Sequence, residues 1–514
     1  MSGLKINFSK SSLCGVNVPH QDVISLAQIM GCKTEALPIK YLGLPLGANP
    51  RRIKTWDPIL EKMEKRLNVW RRRINSSGGR LTLINSSFSH LPTYFMSIFK
   101  MPLAVANAME KLQRQFFWGD TADKKKLHLV KWETIAKKKE FGGLGVRRMM
   151  QQNLALLSRW WWRFNKDKNS LWVKVIRGKY YVSLEAWLPY LPRAGHVTNI
   201  WRDICSLGDP HSSFGSILIE GLRIQVNYGK DTSFWNDIWL GDRTLKEAFP
   251  RLFLVSSQKE DMVSTVKGDA GDEHWNLSFR KTLRVRENQL LDDLLQRLQS
   301  VILDQSKEDV LQWKWSTDKQ FTVKSIYNQW EQVDQNRNQV LGSLWKNLCP
   351  PKVEIFSWLA VQEKVATRSA LSRRNMIQED QQLSCPLCSM QLETPSHLLL
   401  FCQFSWSVWS LILDWWHVVW VCPSSLAELA LWWFDNRFGT SEEKLWKASF
   451  YATLWSLWLV RNDYVFNNAT TSIEEVGELV KTRVAMWMKS KFEIKFYSVE
   501  DFRLFLDGVR KLKF

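Results

Sequence analysis

Three cysteines and one histidine fall within CPLCSMQLETPSHLLLFC, residues 385–402. The spacing Cys385-x2-Cys388 puts two thiolates on one tight turn, and His397-x4-Cys402 places an imidazole and a third thiolate about one helical turn apart. Four ligands supplied by the protein leave no open coordination position. The spacing therefore predicts a Zn²⁺ site that is structural rather than hydrolytic.

The alternative to a metal site is a chance cluster of these residue types. The chain contains only 8 cysteines and 8 histidines, so four ligand-type residues this close together favour the metal. Cys422 and His417 are near enough to replace one ligand, although a packed side chain is the simpler interpretation of His417. Sparse cysteines and the absence of a signal peptide in MSGLKINFSKSS predict an intracellular protein, nuclear or cytoplasmic and not secreted.

The net charge of +20 comes from the first two fifths of the chain. Residues 1–200 carry 34 Lys and Arg against 12 Asp and Glu, a balance of +22, whereas residues 201–514 carry 37 against 39, a balance of −2. A positive field of that size predicts a polyanionic partner, most often nucleic acid. The alternative is a solvated basic surface that keeps the protein soluble.

The chain has 29 tryptophans against 10 tyrosines. Tryptophan contributes large apolar areas to a core and also stacks on unpaired bases, so composition leaves both uses open. The most membrane-like stretch, residues 404–434, is interrupted by Asp414, His417 and Pro423. We expect a pair of buried helices there and no membrane association.

Hydrophobic periodicity predicts a mainly α chain with small β hairpins, an α+β class. Ile59, Met63, Leu67 and Trp70 lie on one helical stripe. The SSGG sequence at 76–79 predicts a turn after that helix. Alternating patterns in GLRIQVNYGKDTSFWNDIW and LQWKWSTDKQFTVKSIY predict two hairpins in the middle of the chain.

The segment ETPSHLLLFC, preceded by a Cys-x2-Cys pair and by PPKVEIFSWLA, resembles the reverse-transcriptase zinc-binding domain of plant non-LTR (LINE-type) retrotransposons. Further blocks resemble the same polyproteins in the same order. SGLKINFSKS resembles the fourth conserved polymerase motif, YLGLPLG resembles the primer-grip hairpin, and SSGGRLTLINSSFSHLPTYFMSIFKMP resembles the helical thumb. Because the blocks cover essentially the whole chain in order, the resemblance is more specific than any single motif.

The resemblance implies six consecutive parts. They are a palm remnant (1–50), a helical thumb-like bundle (51–120), a basic connector with helices (121–195), a mixed region with two hairpins (196–335), the zinc-binding domain (340–440) and C-terminal helices (441–514).

Reverse transcription needs two carboxylates that hold a pair of Mg²⁺ ions. The pair that invites comparison, Asp292 and Asp293, lies in the amphipathic helix pattern NQLLDDLLQRLQ, so we interpret it as a solvated helix face. The family's catalytic aspartates would lie just upstream of Met1. We therefore expect no catalytic residue in the chain and a role for Mg²⁺ only if a catalytic palm is supplied elsewhere.

The resemblance carries over to a few nucleic-acid-binding residues. Lys10 matches the lysine of the fourth motif, which is proposed to protonate the leaving pyrophosphate. The primer-grip positions, for which a plain tight turn is the alternative, are Tyr41, Leu42, Gly43 and Gly47. The cations expected to contact phosphates of an RNA–DNA hybrid are Arg71, Arg72, Arg73 and Arg80, extended by Lys124, Lys125, Lys126, Lys137, Lys138 and Lys139.

Three functions are compatible with these features. The first is a non-catalytic reverse-transcriptase fragment that binds RNA or an RNA–DNA hybrid through its basic half. The second is an active RNA-directed DNA polymerase whose catalytic palm is encoded upstream or supplied by another polymerase portion of the same element. The third is a zinc-stabilised module that binds a protein through its Trp-rich helices.

Overall fold

The protein is mainly helical, which confirms the predicted fold class. The computed structural model describes residues 7–71, 76–121, 123–183, 186–191, 197–267, 274–332, 337–377, 383–436, 438–493 and 498–504. Within these residues the β structure is confined to three two-stranded sheets and isolated bridges.

The helices follow one another along the whole chain. In chain order they are α1 (His20–Met30), α2 (Asp57–Arg71), α3 (Ser77–Ser86), α4 (Thr93–Met96), α5 (Leu103–Trp118), α6 (Trp132–Ala136), α7 (Met149–Leu157), α8 (Arg159–Lys166), α9 (Leu171–Tyr180), α10 (Asn199–Cys205), α11 (Ser213–Gly221), α12 (Leu245–Ala248), α13 (Pro250–Val255), α14 (Val263–Lys267), α15 (Val285–Leu298), α16 (Val323–Gln332), α17 (Gln339–Ser343), α18 (Pro351–Val361), α19 (Arg368–Ser372), α20 (Gln403–Trp415), α21 (Leu426–Asp435), α22 (Thr440–Asn467), α23 (Ile473–Phe492) and α24 (Val499–Leu504).

The strands are short and pair in twos. Their bounds are β1 (Ser12–Leu13), β2 (Lys33–Thr34), β3 (Ile39–Tyr41), β4 (Leu44–Leu46), β5 (Leu222–Gln225) and β6 (Val310–Trp313). Strands β1 and β2 are parallel, whereas β3–β4 and β5–β6 are antiparallel.

The β3–β4 hairpin lies in the sequence predicted to resemble a primer grip. Its two turn residues, Leu42 and Gly43, have φ angles of +48° and +85°. Positive φ at both central positions is what a type I′ two-residue hairpin turn requires, and glycine adopts it without steric cost.

The described residues form two compact units. The first is drawn from Met1–Glu61, Pro92–Ala108 and Met149–Val333, and the second from Lys62–Leu91, Met109–Arg148 and Asp334–Phe514. The described residues of the first unit include two hydrophobic cores. One is built on Trp161, Trp201 and Trp313, and the other on Trp235, Leu252 and Leu294.

The strand pairing predicted for the two hairpins within residues 196–335 is wrong. Strand β5 pairs with β6, with Leu222 opposite Trp313 and Gln225 opposite Val310. The stretch expected to return as the second strand after residue 320 instead forms α16, where the Thr322 hydroxyl accepts a hydrogen bond from the Ser325 N–H at 3.0 Å. An alternating pattern indicates a strand but does not show which strand it pairs with. After residue 320, the Thr-x-x-Ser cap favours a helix.

The predicted turn at residues 76–79 is also wrong, because these residues begin α3. Ser76 is the N-cap, and its hydroxyl accepts a hydrogen bond from the Gly79 N–H at 3.1 Å. Gly78 lies against the start of α18, where a Cβ atom would meet the Lys352 backbone nitrogen at 2.8 Å. The glycine therefore permits close contact of two helices rather than a turn.

Several predicted helices are confirmed. In α2, Ile59, Met63 and Leu67 are buried, as their stripe predicted. Residues 404–434 form α20 and α21, the expected helix pair. Within the described residues, no helix combines the length and the apolar character that crossing a membrane would need.

Candidate metal centre

The first two predicted ligands lie on a tight turn. The Ser389 N–H donates to the Cys385 carbonyl at 2.7 Å, and the Cys385 N–H donates to the Gln391 carbonyl at 2.7 Å. An antiparallel bridge between Ser384 and Leu392 closes the base of this loop. These bonds hold the Cys385 and Cys388 side chains on the same side of the turn.

The other two ligands come from a short helical element and the start of α20. His397 opens a π-helical turn (His397–Phe401), and its N–H donates to the Thr394 hydroxyl at 3.1 Å. The Cys402 N–H donates to the His397 carbonyl at 2.6 Å. Cys402 is the N-cap residue of α20, so the same residue ends one element and begins the next.

The structure brings the four side chains together, with one ligand atom of each within 4.8 Å of the others. The sulfurs of Cys385 and Cys402 are 3.9 Å apart, and the Cys388 sulfur is 3.3 Å from His397 Nε2. A tetrahedral zinc ion with Zn–S near 2.3 Å and Zn–N near 2.0 Å would place such pairs about 3.8 and about 3.6 Å apart. Both the donor set and its spacing fit a zinc ion.

Three of the four ligand residues are buried, and the pKa values of Cys385 and Cys402 are shifted in opposite directions. Cys385 and Cys402 are fully buried, and His397 is 6% exposed. The hydrogen bond from the Cys385 thiol, helped by backbone N–H groups at the start of α20, lowers the pKa of Cys402 to about 5. The same hydrogen bond and burial raise the pKa of Cys385.

A buried ion pair connects the metal-binding loop to α22. Glu393 is fully buried, and its carboxylate accepts two hydrogen bonds from the Arg461 guanidinium of α22, at 2.5 and 3.0 Å. The backbone N–H of Arg368 donates to the same carboxylate at 2.7 Å. The sequence gives no signal for this pair, because the two residues are far apart in the chain and no spacing pattern joins them.

Most tryptophans around the site are packed in a core. Trp433 and Trp446 stack with ring centroids 4.0 Å apart, and each indole N–H donates to the other residue's carbonyl. The buried Trp409 donates to the carbonyl of Leu399, in the π-helical turn, at 2.8 Å. These rings therefore stabilise the metal-binding region, whereas Trp406 and Trp420 stack on each other while half-buried.

The two alternative ligands do not join the cluster. His417 is exposed, with φ +54°, just after α20, so the expectation of a packed side chain there is wrong. Cys422 is exposed and lines a cavity of about 380 Å³ together with Cys388, His397 and Trp406. His417 follows the C-cap of α20, and its left-handed conformation is the one that commonly ends a helix.

The predicted nucleic-acid residues lie in several places. Lys10 ends a short 3₁₀ turn (Phe8–Lys10). Tyr41 and Leu42 are 61% and 74% exposed at the tip of the β3–β4 hairpin. Arg72 and Arg73 lie outside the described residues.

Two of the predicted arginines are partly buried in the second unit. Arg71 ends α2, and one guanidinium nitrogen lies 3.3 Å from the Asn68 side-chain oxygen. Arg80 donates to the Phe117 carbonyl near the end of α5 at 3.4 Å, and burial lowers its pKa. The lysines expected to extend this surface are exposed at Lys124, Lys125, Lys126, Lys137 and Lys139, and half-buried at Lys138.

The acidic pair that invited comparison with a catalytic site lies on α15. Both Asp292 and Asp293 are exposed, and Asp293 forms an ion pair with Arg297 one turn later at 3.1 Å. The prediction of a solvated helix face is confirmed.

Comparison with known proteins places the metal centre in a defined domain. Residues 321–409 match the family described as zinc-binding in reverse transcriptase. A protein of Arabidopsis thaliana named "Putative ribonuclease H protein" is 30% identical over 433 residues, which cover 82% of this chain and 66% of that protein. An "Uncharacterized mitochondrial protein" of the same plant is 28% identical over 158 residues, which cover 30% of this chain and 95% of that protein.

The family match and the Cys₃His cluster define a protein with a reverse-transcriptase zinc-binding domain. This domain and the two relatives confirm the predicted resemblance to the reverse-transcriptase region of plant non-LTR retrotransposons.

Proposed function

We propose that the chain is a non-catalytic part of a plant LINE-type reverse transcriptase that binds RNA or an RNA–DNA hybrid through its basic N-terminal half. In this proposal a structural Zn²⁺ stabilises the fold. Its ligands are Cys385, Cys388, His397 and Cys402. The chain acts inside the cell, in the nucleus or cytoplasm, and the upstream polymerase portion of the same element is its natural partner. The observation that carries the proposal is the balance of +22 in residues 1–200 against −2 in the remainder.

The exposed cations support binding to phosphates. Six lysines between residues 124 and 139 are exposed in the second unit. Lysines that neutralise phosphates release counterions, so they supply affinity for any sequence but little preference among sequences. Arg80 is bound to the end of α5, and we assign it a positioning role in this surface.

The donor set supports a structural metal rather than a reactive one. Three thiolates and an imidazole occupy all four coordination positions of a tetrahedral ion, and such sites contribute folding free energy. In this proposal the metal fixes the helices of residues 337–493 and takes no part in chemistry.

A salt series tests RNA binding directly. The affinity of the zinc-loaded full chain for a fluorescent single-stranded RNA is measured by anisotropy between 50 and 300 mM salt. About five phosphate contacts would give a slope of roughly −3.5 in log K against log salt. No binding at low salt, or binding that salt does not change, would contradict the proposal.

Two triple variants of equal charge change locate the contact. Replacing Lys124, Lys125 and Lys126 with alanine is expected to lower RNA affinity and to flatten the slope by about 2. The matched control replaces three exposed cations of residues 201–514, where the charges nearly balance. They are Arg280, Arg286 and Lys324. This control should leave the RNA affinity and the salt slope unchanged. Equal losses of RNA affinity in the two variants would show that the RNA contact is not confined to the basic N-terminal half.

Primer extension separates this proposal from an active polymerase. The purified chain, with an RNA template, a DNA primer, nucleotides and Mg²⁺, is expected to add no nucleotide. Incorporation by the isolated chain would favour the RNA-directed DNA polymerase instead. A pull-down with and without a chelator tests the remaining alternative, a zinc-dependent protein-interaction module, and should recover no metal-dependent partner.

A further inference from the structure

A cleft of about 540 Å³ lies within the second unit, between α3 and the segment that leads into α18. Leu81, Pro351 and Ile355 form apolar walls, and Thr82 and Ser86 are exposed at its rim. The cleft is large enough for one nucleotide, because small-molecule sites begin at about 300 Å³.

Two residues that line the cleft carry buried polar atoms without a partner among the described residues. They are the side-chain oxygen of Asn85, an acceptor, and the indole N–H of Trp345, a donor. An unmet buried polar group costs about 1–3 kcal/mol. A ligand with both a donor and an acceptor on one edge would satisfy both atoms.

A cation stands beside these groups. The Lys139 ammonium lies 4.4 Å from the centroid of the Trp345 ring, and Lys139 is itself exposed. Within the cleft lining this ammonium is accompanied by one carboxylate, that of the buried Glu354.

The cleft combines an apolar slot, an unmet donor, an unmet acceptor and a lysine ammonium over the Trp345 ring. A nucleobase is a flat ring with donors and acceptors on its edge, and it is attached to a phosphate. We propose that this cleft binds one unpaired nucleotide of an RNA strand, with the base between α3 and Pro351 and a neighbouring phosphate near Lys139.

This assignment rests on the proposed function and makes it more specific. Phosphate contacts alone do not favour a single strand over a duplex, whose charge density is higher. A base, in contrast, can enter a cleft only when it is not paired in a helix. The cleft therefore predicts a preference for single strands that the lysine surface alone would not produce.

The test uses the zinc-loaded full chain and two RNA probes, a labelled single strand and the duplex of the same sequence. Ser86→Trp fills the cleft from an exposed position. Asn85→Ala removes the unmet acceptor. His90→Trp is the matched control, because it adds an indole at an exposed residue outside the cleft lining. Thermal unfolding of each variant verifies that the fold is unchanged.

We expect Ser86→Trp to weaken single-strand binding about tenfold while leaving duplex binding and the salt slope unchanged. Asn85→Ala should weaken single-strand binding about fivefold, and His90→Trp should have no effect. Equal binding of the single strand by the wild type and Ser86→Trp would overturn the cleft assignment but leave the lysine surface intact. Failure of the wild type to bind either probe at low salt would overturn both proposals.

Discussion

The metal-binding region and the mixed middle region each depend on one polar centre, but the two centres are built differently. In the first, four ligands within residues 385–402 converge on one point. In the second, the carboxylate of Asp309 accepts hydrogen bonds from the N–H groups of Asn227 and Gly229, both at 2.8 Å, and from the Thr232 hydroxyl at 2.6 Å.

This difference explains why one centre could be recognised in the sequence and the other could not. Cysteine and histidine are rare in this chain and their spacing is local, so they stand out. Aspartate is common, and the partners of Asp309 precede it by about 80 residues. A rare residue type at short spacing is a signal, whereas a common one with distant partners is not.

Metal removal is the largest perturbation we expect. A structural zinc site contributes about 10 kcal/mol of folding free energy, so a chelator or Cys388→Ser should abolish hydrogen-exchange protection in residues 383–415. Protection of residues 222–225 and 310–313 should persist. Cys422→Ser, at an exposed non-ligand, is the control. Unchanged exchange in residues 383–415 after metal removal would show that the loop does not depend on the ion.

Breaking the buried ion pair behind the metal loop should come next in size. Arg461→Met leaves the Glu393 carboxylate buried without its charged partner and is expected to lower the free energy of unfolding by about 3–5 kcal/mol. Chemical denaturation measures the loss. The double variant Glu393→Gln with Arg461→Met should recover part of it, and a double variant as unstable as the single one would argue against a charge effect.

The polar centre of the middle region is tested by Asp309→Asn. The amide retains one acceptor oxygen, so at least one of the three hydrogen bonds is lost and the rest weaken, which should cost about 3 kcal/mol. Hydrogen exchange should increase around Asn227 and Gly229 and remain unchanged in the metal-binding loop. Equal increases in both regions would contradict the independence of the two centres.

The smallest expected effect is a pH dependence in the middle region. Burial, with a smaller contribution from Asp309, raises the pKa of Asp237 to about 6. The folded state therefore holds a proton that the unfolded state has lost between about pH 4 and pH 6, so stability falls as pH rises through this window. Because Asp237 is partly exposed, we expect the free energy of unfolding to fall by about 2 kcal/mol across this window.

Asp237→Asn should remove this fall and make the variant more stable than the wild type above pH 6. The Ser233 N–H, which donates to Asp237 at 2.7 Å, can still donate to the amide oxygen. Unfolding curves at pH 4.5 and 7.5 measure the difference. A parallel pH dependence in the two proteins would mean that Asp237 is not the titrating group.

Elements whose information is local could be predicted from the sequence. The α2 stripe, the helix pair α20–α21 and the ligand spacing all follow from residues within a few turns of one another. The β5–β6 pairing and the start of α3 could not be predicted, because they depend on contacts with distant segments. Gly78 illustrates this, since its role is set by Lys352.

The candidate cleft was also beyond sequence reasoning. Asn85, Lys139 and Trp345 come from three separate segments, and each is an ordinary surface residue in its own sequence context. The lysine run was predicted as a phosphate-binding surface, but nothing in the sequence indicated that one of its members lies over a tryptophan ring.

Zinc-edge X-ray absorption on the purified chain tests the central claim, a closed structural metal centre in the reverse-transcriptase zinc-binding domain. The account predicts one zinc per chain with three sulfur ligands near 2.3 Å and one nitrogen near 2.0 Å. A water or carboxylate oxygen in the coordination shell, or a chain that folds without zinc, would contradict it.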